Sequence, residues 1–377
     1  MTERRFLLGF VTALATLGLV VGAFQLLFTR VGEIGLARVV DRQLAAPNGD
    51  VLFLSGVNQN SHRYKLMLFD RQRPQVIAIG SSRAMEVRAE FFDAPFVTLG
   101  GAVNNLANLE AVADHVAKAP ARPKLAIVYV DPWLFNARYT DNQGPVPSYP
   151  RYVSADMLWA GAKALRRGNW IAQSFRSPNL GIYAISRNEG FARDGSQYYN
   201  LTGDGAYDAK FALTFARIDG DKQNFQRNTR AYPRLVGRIC AAVRKVRAAT
   251  GAAAVVAPPF ADSVWRRLSQ PDYAYIADGY AQLQACLGDI PFFDYADPAR
   301  IDGSSECEFI DGLHGGDVTY ARTLLQMAAT DPAVRAQVNA PYLQAFVGKY
   351  RGHAGGTVLA RDPAVREADF LQLGCRK

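Results

Sequence analysis

The sequence is poor in cysteine and histidine, with four of each in 377 residues, and their spacing excludes more than it allows. None of Cys240, Cys286, Cys307 and Cys375 forms a Cys-x-x-Cys pair, so neither a zinc ribbon nor a thioredoxin-type redox site is expected, and no metal or cofactor is called for. Four cysteines can pair in three ways or stay as buried thiols. In an oxidising compartment a Cys286–Cys307 bridge is one expectation. Internal repeats and low-complexity tracts are also missing, which excludes solenoids and disordered tails. The formal charge of +9 is not gathered into a basic run interleaved with aromatics, so no nucleic-acid partner is expected. In an exported domain that excess favours anionic glycans or an anionic membrane surface.

Charge is missing altogether from Phe6 to Phe28. At about 1.5 Å per residue this run is long enough to cross a hydrocarbon core of roughly 30 Å, and it reads as a single membrane anchor. Val21-Gly22-Ala23 would serve a signal peptidase, which keeps a cleaved leader open, although a typical leader core is shorter, about 7–15 residues. Arg4 and Arg5 favour a cytoplasmic N-terminus, and Arg30 beyond the span weakens that asymmetry. The expected location is the inner or plasma membrane, single-pass, with the bulk of the chain periplasmic. Residues 1–28 then form tail and anchor, and 29–70, including Arg38-Val39-Val40-Asp41-Arg42, a membrane-proximal lead-in without function.

Beyond it, nearly half the residues are apolar and a fifth charged, as in an ordinary globular domain. Short continuous apolar runs at Gln75–Gly80, Phe96–Leu99, Leu125–Val130, Ala252–Ala257 and Phe292–Tyr295 have the pattern of buried parallel strands. Leu106–Ala117, Thr229–Thr250 and Ala274–Leu287 carry apolar residues at three- and four-residue spacing and read as helices. The alternation predicts a three-layer α/β/α domain with a parallel central sheet over residues 71–335, followed by a C-terminal extension, 336–377. Residues 139–230 break the rhythm with Pro145, Pro147, Pro150 and several glycines, and read as an inserted lid, binding loop or packing module. Tyr149, Tyr152, Tyr198 and Tyr199 would suit stacking on sugar rings or anchoring that segment to the core.

In such a sheet the working crevice lies beyond the carboxyl ends of the strands, where Gly80-Ser81-Ser82-Arg83 and Phe309-Ile310-Asp311-Gly312-Leu313-His314 both fall. A glycine permits a sharp turn after a strand, and Ser82 then stands where following N–H groups can face a developing oxyanion. The plainer reading of Gly-Ser-Ser is a helix N-cap. Asp311 and His314, three apart before a helix, allow the carboxylate to fold back onto imidazole Nδ1 and leave Nε2 to deprotonate a hydroxyl. His62 in a polar loop, His115 on a helix and His353 in a glycine-rich tail lack an orienting carboxylate in sequence and read as solvated or locally hydrogen-bonded.

A strand-terminal Gly-x-Ser early and an Asp-x-x-His late resemble the SGNH/GDSL hydrolase superfamily. The resemblance runs over residues 70 to 335 with 139–230 unmatched. It implies Ser82 as nucleophile, His314 as base and Asp311 as its orienting acid. It also implies Gly101, or in another register Gly100, as a backbone oxyanion donor. Gly-Ser-Ser with an N-terminal anchor and Asp131-Pro132-Trp133 after the third strand looks closer to the membrane-anchored branch, which includes proteins of teichoic-acid D-alanylation and alginate O-acetylation. That implies acylated glycan substrates, acetyl esters above all, and a membrane acyltransferase complex as partner. One departure stands out: the superfamily usually places an Asn where this chain has Asp131, and an ionised aspartate cannot donate. Asp131 is then protonated, orients another group or satisfies loop amides, while backbone N–H groups of Ser82, Arg83 and Gly101, with Asn104 or Asn136, complete the hole. The Arg83 side chain would bind an anionic substrate or a helix-face carboxylate. A catalytically inactive module that binds polysaccharide or scaffolds an assembly complex is the alternative, and a lipase-like enzyme a third.

Overall fold

The first long apolar run folds as expected for a segment with no polar face. In the computed structural model, which describes residues 3–46, 51–57, 61–120, 122–140, 149–201 and 208–377, helix α1 spans Glu3–Val31 and is long and apolar enough to cross a membrane. The chain divides into two compact units, residues 1–60 with 147–193 and residues 61–146 with 194–377.

In the smaller unit the end of α1 packs into a core of Phe28, Val31, Ile34, Met157, Trp170 and Ile182. The buried Glu33 carboxylate accepts from the Gly56 N–H at 2.8 Å and the Ile182 N–H at 2.6 Å, so one side chain ties three stretches of chain together.

The larger unit is built on five parallel strands, β1 Val76–Gly80, β2 Phe96–Gly100, β3 Leu125–Tyr129, β4 Ala252–Ala257 and β5 Phe292–Asp294, in the order β2-β1-β3-β4-β5. Val76 pairs with both Phe96 and Leu125, which brings the carboxyl ends of β1, β2 and β3 level. The first three strands are wholly buried because helices cover both faces, which is why their sequence is continuously apolar instead of alternating. On one face Val76, Ala78, Leu125, Ile127 and Val256 pack against Val318, Ala321, Leu324 and Met327 of the helix Asp317–Thr330. On the other lie Leu106–Lys118, Pro233–Ala249 and Tyr275–Leu287.

Several boundaries move. The inserted segment is not one piece: 147–193 groups with the N-terminal residues, and 194–230 with the sheet. Pro145 and Pro147 lie outside the described residues. The lead-in divides as well, since the helix His62–Gln72 belongs to the larger unit. The C-terminal extension is part of the core, as Val338, Leu343, Phe346 and Tyr350 pack in the same cluster as the strands. Cysteine pairing also differs from the expected Cys286–Cys307 bridge. Cys240 joins Cys286 between two neighbouring helices, and Cys307 joins Cys375.

Candidate active site

The turn after β1 is tighter than a strand-to-helix junction. Ser81 caps a single 3₁₀ turn, Ser82–Ala84, by accepting from the Arg83 N–H at 3.2 Å. No long helix follows, so the turn supplies little of a helix dipole. Glycine at 100 and 101 is required by close approach: a Cβ on Gly100 would lie 2.6 Å from the Ala84 carbonyl carbon. Gly101, at φ +81°, would collide with the Met85 methyl. The turns after β1 and β2 thus interlock, and Ser82 sits partly exposed at the carboxyl end of β1.

The second half of the site is a loop closed on itself. The Ile310 N–H donates to the His314 carbonyl at 2.8 Å, and the Gly316 N–H to the Glu308 carbonyl at 2.7 Å. Glu308, fully buried, holds Arg322 of the following helix through two hydrogen bonds of 2.9 and 2.8 Å. Within the loop Asp311 Oδ1 accepts from the Leu313 and His314 N–H groups, each at 2.7 Å. Its other oxygen lies 2.8 Å from His314 Nδ1.

These halves meet. Ser82 Oγ lies 2.7 Å from His314 Nε2, so hydroxyl, imidazole and carboxylate form one continuous chain of hydrogen bonds. The His314 and Asp311 side chains are 19% and 21% exposed, which leaves the chain of groups open to a ligand from solvent. Burial works to raise the Asp311 pKa, but the His314 charge and hydrogen bond, with the two backbone donors, outweigh it and hold the carboxylate at about 2. It stays ionised, which favours the tautomer with the proton on Nδ1 and a lone pair on Nε2 facing Ser82.

The remaining site residues are placed differently from expectation. The Arg83 N–H is taken by Ser81 Oγ. The Gly101 N–H donates to the carbonyls of Gly80 at 3.0 Å and Ser81 at 2.8 Å, and the Gly100 N–H to Thr98 Oγ1 at 2.9 Å. None of the three is therefore open to an oxyanion. Asn136 is buried away from this role, its amide donating to the Gln226 carbonyl at 2.8 Å. Among the described residues this leaves the Ser82 N–H and the exposed Asn104 carboxamide uncommitted. The Asn104 carbonyl accepts from the Tyr139 hydroxyl at 2.9 Å.

Of the roles open to Asp131, the structure shows it orienting another group. Its buried carboxylate pairs with Arg83 Nη1 at 3.1 Å. Burial pushes the Asp131 pKa up, against the pull of Arg83 and the Ser81 hydroxyl. The guanidinium also donates to the Pro258 carbonyl at 2.8 Å and lies 3.9 Å from the centre of the Phe260 ring. Arg83 is thus enclosed beneath the nucleophile turn, without access to an anionic substrate. Nothing in the sequence pointed to Pro258 or Phe260, whose role depends only on β4 lying next to β3.

A second buried ionic group escaped sequence reading entirely. Arg88, shortly after the nucleophile turn, pairs with Glu86 and lies 3.6 Å from Asp317, shortly after the base loop. Burial pushes Glu86 up to about 8 in spite of Arg88. The pairing links the two segments that carry Ser82 and His314.

The other histidines correct the sequence reading too. His62 is buried with Nδ1 at 2.7 Å from the Ala102 carbonyl. His115 and His353 do have carboxylates, Asp70 at 2.7 Å from 45 residues upstream and Glu367 at 3.3 Å from the C-terminal segment that follows. Among the described residues neither is joined by a serine hydroxyl. Of the tyrosines, Tyr149 donates to the Gly32 carbonyl at 2.7 Å. Tyr198 is buried under the Arg88 guanidinium.

Comparison with family models, curated proteins and solved structures returns no match to this chain.

Proposed function

We propose that this chain is a serine-dependent acyl-ester enzyme of the SGNH/GDSL kind, a hydrolase or O-acyltransferase held at the membrane by α1 with its larger unit in the periplasm. One observation carries the reading: Ser82 Oγ, His314 and Asp311 stand in line at 2.7 and 2.8 Å at the carboxyl end of a parallel sheet. In the proposed reaction Ser82 Oγ bonds to the ester carbonyl carbon as its proton passes to His314 Nε2. Asp311 stabilises the imidazolium so formed. When the tetrahedral species collapses, the ester C–O bond breaks and His314 returns the proton to the leaving alcohol, which leaves an acyl group on Ser82. Water or a sugar hydroxyl then releases it by the reverse sequence.

The proposed substrates are acyl esters, acetyl above all, of an envelope or exported polysaccharide. The anchor supports a membrane-bound substrate or complex. A cavity of about 140 Å³ with mixed polar and apolar walls lies beside the base loop, between Asp262, Pro298, Ser305, Glu306 and Phe309.

The test is labelling by a fluorophosphonate probe together with turnover of an aryl acetate. Both are expected in the intact chain, with turnover falling by roughly 10³ or more in Ser82→Ala. Turnover unchanged by that substitution would overturn the proposal. A catalytically inactive polysaccharide-binding or scaffold module is the second reading, favoured by one observation: the Gly101 and Arg83 N–H groups are already bonded within the protein. Absence of labelling in folded protein would select it.

A further inference from the structure

Among the described residues, six large apolar side chains outside α1 are exposed, and four of them fall between residues 149 and 177 of the smaller unit: Tyr152 at 78%, Trp159 at 70%, Phe175 at 64% and Leu165 at 43%. The helix Ala155–Ala164 turns Met157, Gly161 and Ala164 inward, so Trp159 and Lys163 face solvent on its other side. A surface helix of a globular domain normally keeps that side polar. The charge of the same stretch is one-sided, with Arg151, Lys163, Arg166 and Arg176 exposed against one acidic side chain, Asp156.

The place of this stretch along α1 is informative. The helix is bare from Phe6 to Ala23, becomes covered along one side from Phe24 and buries Phe28, while Leu26 and Arg30 still face outward. The uncovered apolar length is roughly 20 residues, or about 30 Å, the thickness of a hydrocarbon core. Protein contact therefore begins where hydrocarbon would end. The contact comes from the 149–177 stretch itself: the Val153 N–H donates to Gln25 Oε1 at 2.8 Å, and Trp170 lies 6.0 Å from the Phe28 ring. Arg30 is stacked over the exposed Phe175 at 4.9 Å.

We infer that residues 149–177 form a collar lying on the anionic lipid surface from which α1 emerges. Tyr152, Trp159 and Phe175 enter the boundary between headgroups and acyl chains, and the surrounding arginines and lysine meet the phosphates. Aromatic rings at that depth flanked by cations are what an interfacial surface requires. Continuity with α1 and the charge favour lipid over a protein partner. The inference rests on α1 crossing a membrane.

The full chain, in nanodiscs of phosphatidylcholine and phosphatidylglycerol with acyl chains brominated near the headgroup, provides the test. The emission of Trp159, taken as the difference between the intact chain and Trp159→Phe, should be quenched about twofold or more by the brominated lipid and be insensitive to aqueous iodide. Less quenching is expected when phosphatidylglycerol is left out. Quenching by iodide and not by lipid would overturn the collar, as would protection from both, which would mean that protein covers Trp159. Phe10→Trp in the Trp159→Phe background separates the two claims, because it places an indole within the span. If that indole is quenched by lipid while Trp159 is not, only the collar fails; if neither is quenched, the membrane reading of α1 fails with it.

Discussion

Replacing Asp311 by Asn tests the proposed chemistry and the electrostatics of the base loop together. The amide oxygen can still accept the Leu313 and His314 N–H groups, both now at 2.7 Å. The NH₂ that replaces Oδ2 can only donate to His314 Nδ1, which favours the other imidazole tautomer, with its proton on Nε2 facing Ser82. A base so protonated cannot accept the serine proton, and turnover should fall roughly 10³- to 10⁴-fold. Stability should change as well. Asp311 titrates at about 2 in the folded protein against an ordinary 3.8, a depression that corresponds to about 2 kcal/mol. For a carboxylate with a lowered folded pKa the stabilisation is fully present above 3.8 and is lost as pH falls through about 2. Urea unfolding should therefore show the variant less stable by about 2 kcal/mol at neutral pH, with the gap closing in acid. Aryl acetate turnover provides the second assay. A folded Asp311→Asn protein that keeps turnover within about tenfold of the parent would refute the tautomer argument.

Arg83→Met should destabilise the protein by about 3–5 kcal/mol in urea unfolding because it leaves the Asp131 carboxylate buried and unpaired. Adding Asp131→Asn should recover most of that loss. Cys375→Ser should lower thermal stability by about 2–4 kcal/mol and also weaken probe labelling of Ser82, since the Cys307–Cys375 bridge borders the base loop. Cys240→Ser, which opens a bridge between two helices, should lower stability and leave labelling intact.

What could be read in the sequence was decided by local physics. Four of the five strands of the main sheet follow from continuous apolar runs, because a strand covered on both faces needs no polar side, whereas the half-buried edge strand Phe292–Asp294 carries an aspartate. Ser82 follows from a glycine turn at the end of β1, whereas Asp311 and His314 sit in a self-closed loop well after β5, ahead of the helix Asp317–Thr330 that packs on the same sheet. The oxyanion donors could not be read in the same way. Whether the Gly101 N–H faces a ligand or the Gly80 carbonyl depends on how two turns interlock, which residue type does not encode. The disulfides depend on which helices become neighbours: Cys240 and Cys286 sit on two that pack side by side. The carboxylates of His115 and His353 were missed for the same reason, since Asp70 and Glu367 are close only after folding. Residues 147–193 join the N-terminal unit through Met157 and Trp170, whose partner Phe28 reads in sequence as part of a membrane span alone.

The Cys307–Cys375 bridge has a consequence in time. Beside it, Lys377 reaches the Cys307 and Gly352 carbonyls at 2.8 and 3.0 Å, so residues well downstream of His314 fasten the loop that holds it. A ribosome delivers them long after Ser82, and the bridge can close only once residue 375 has been made. A nascent chain stalled before residue 375 would possess its hydroxyl, imidazole and carboxylate and still lack the clasp that steadies them.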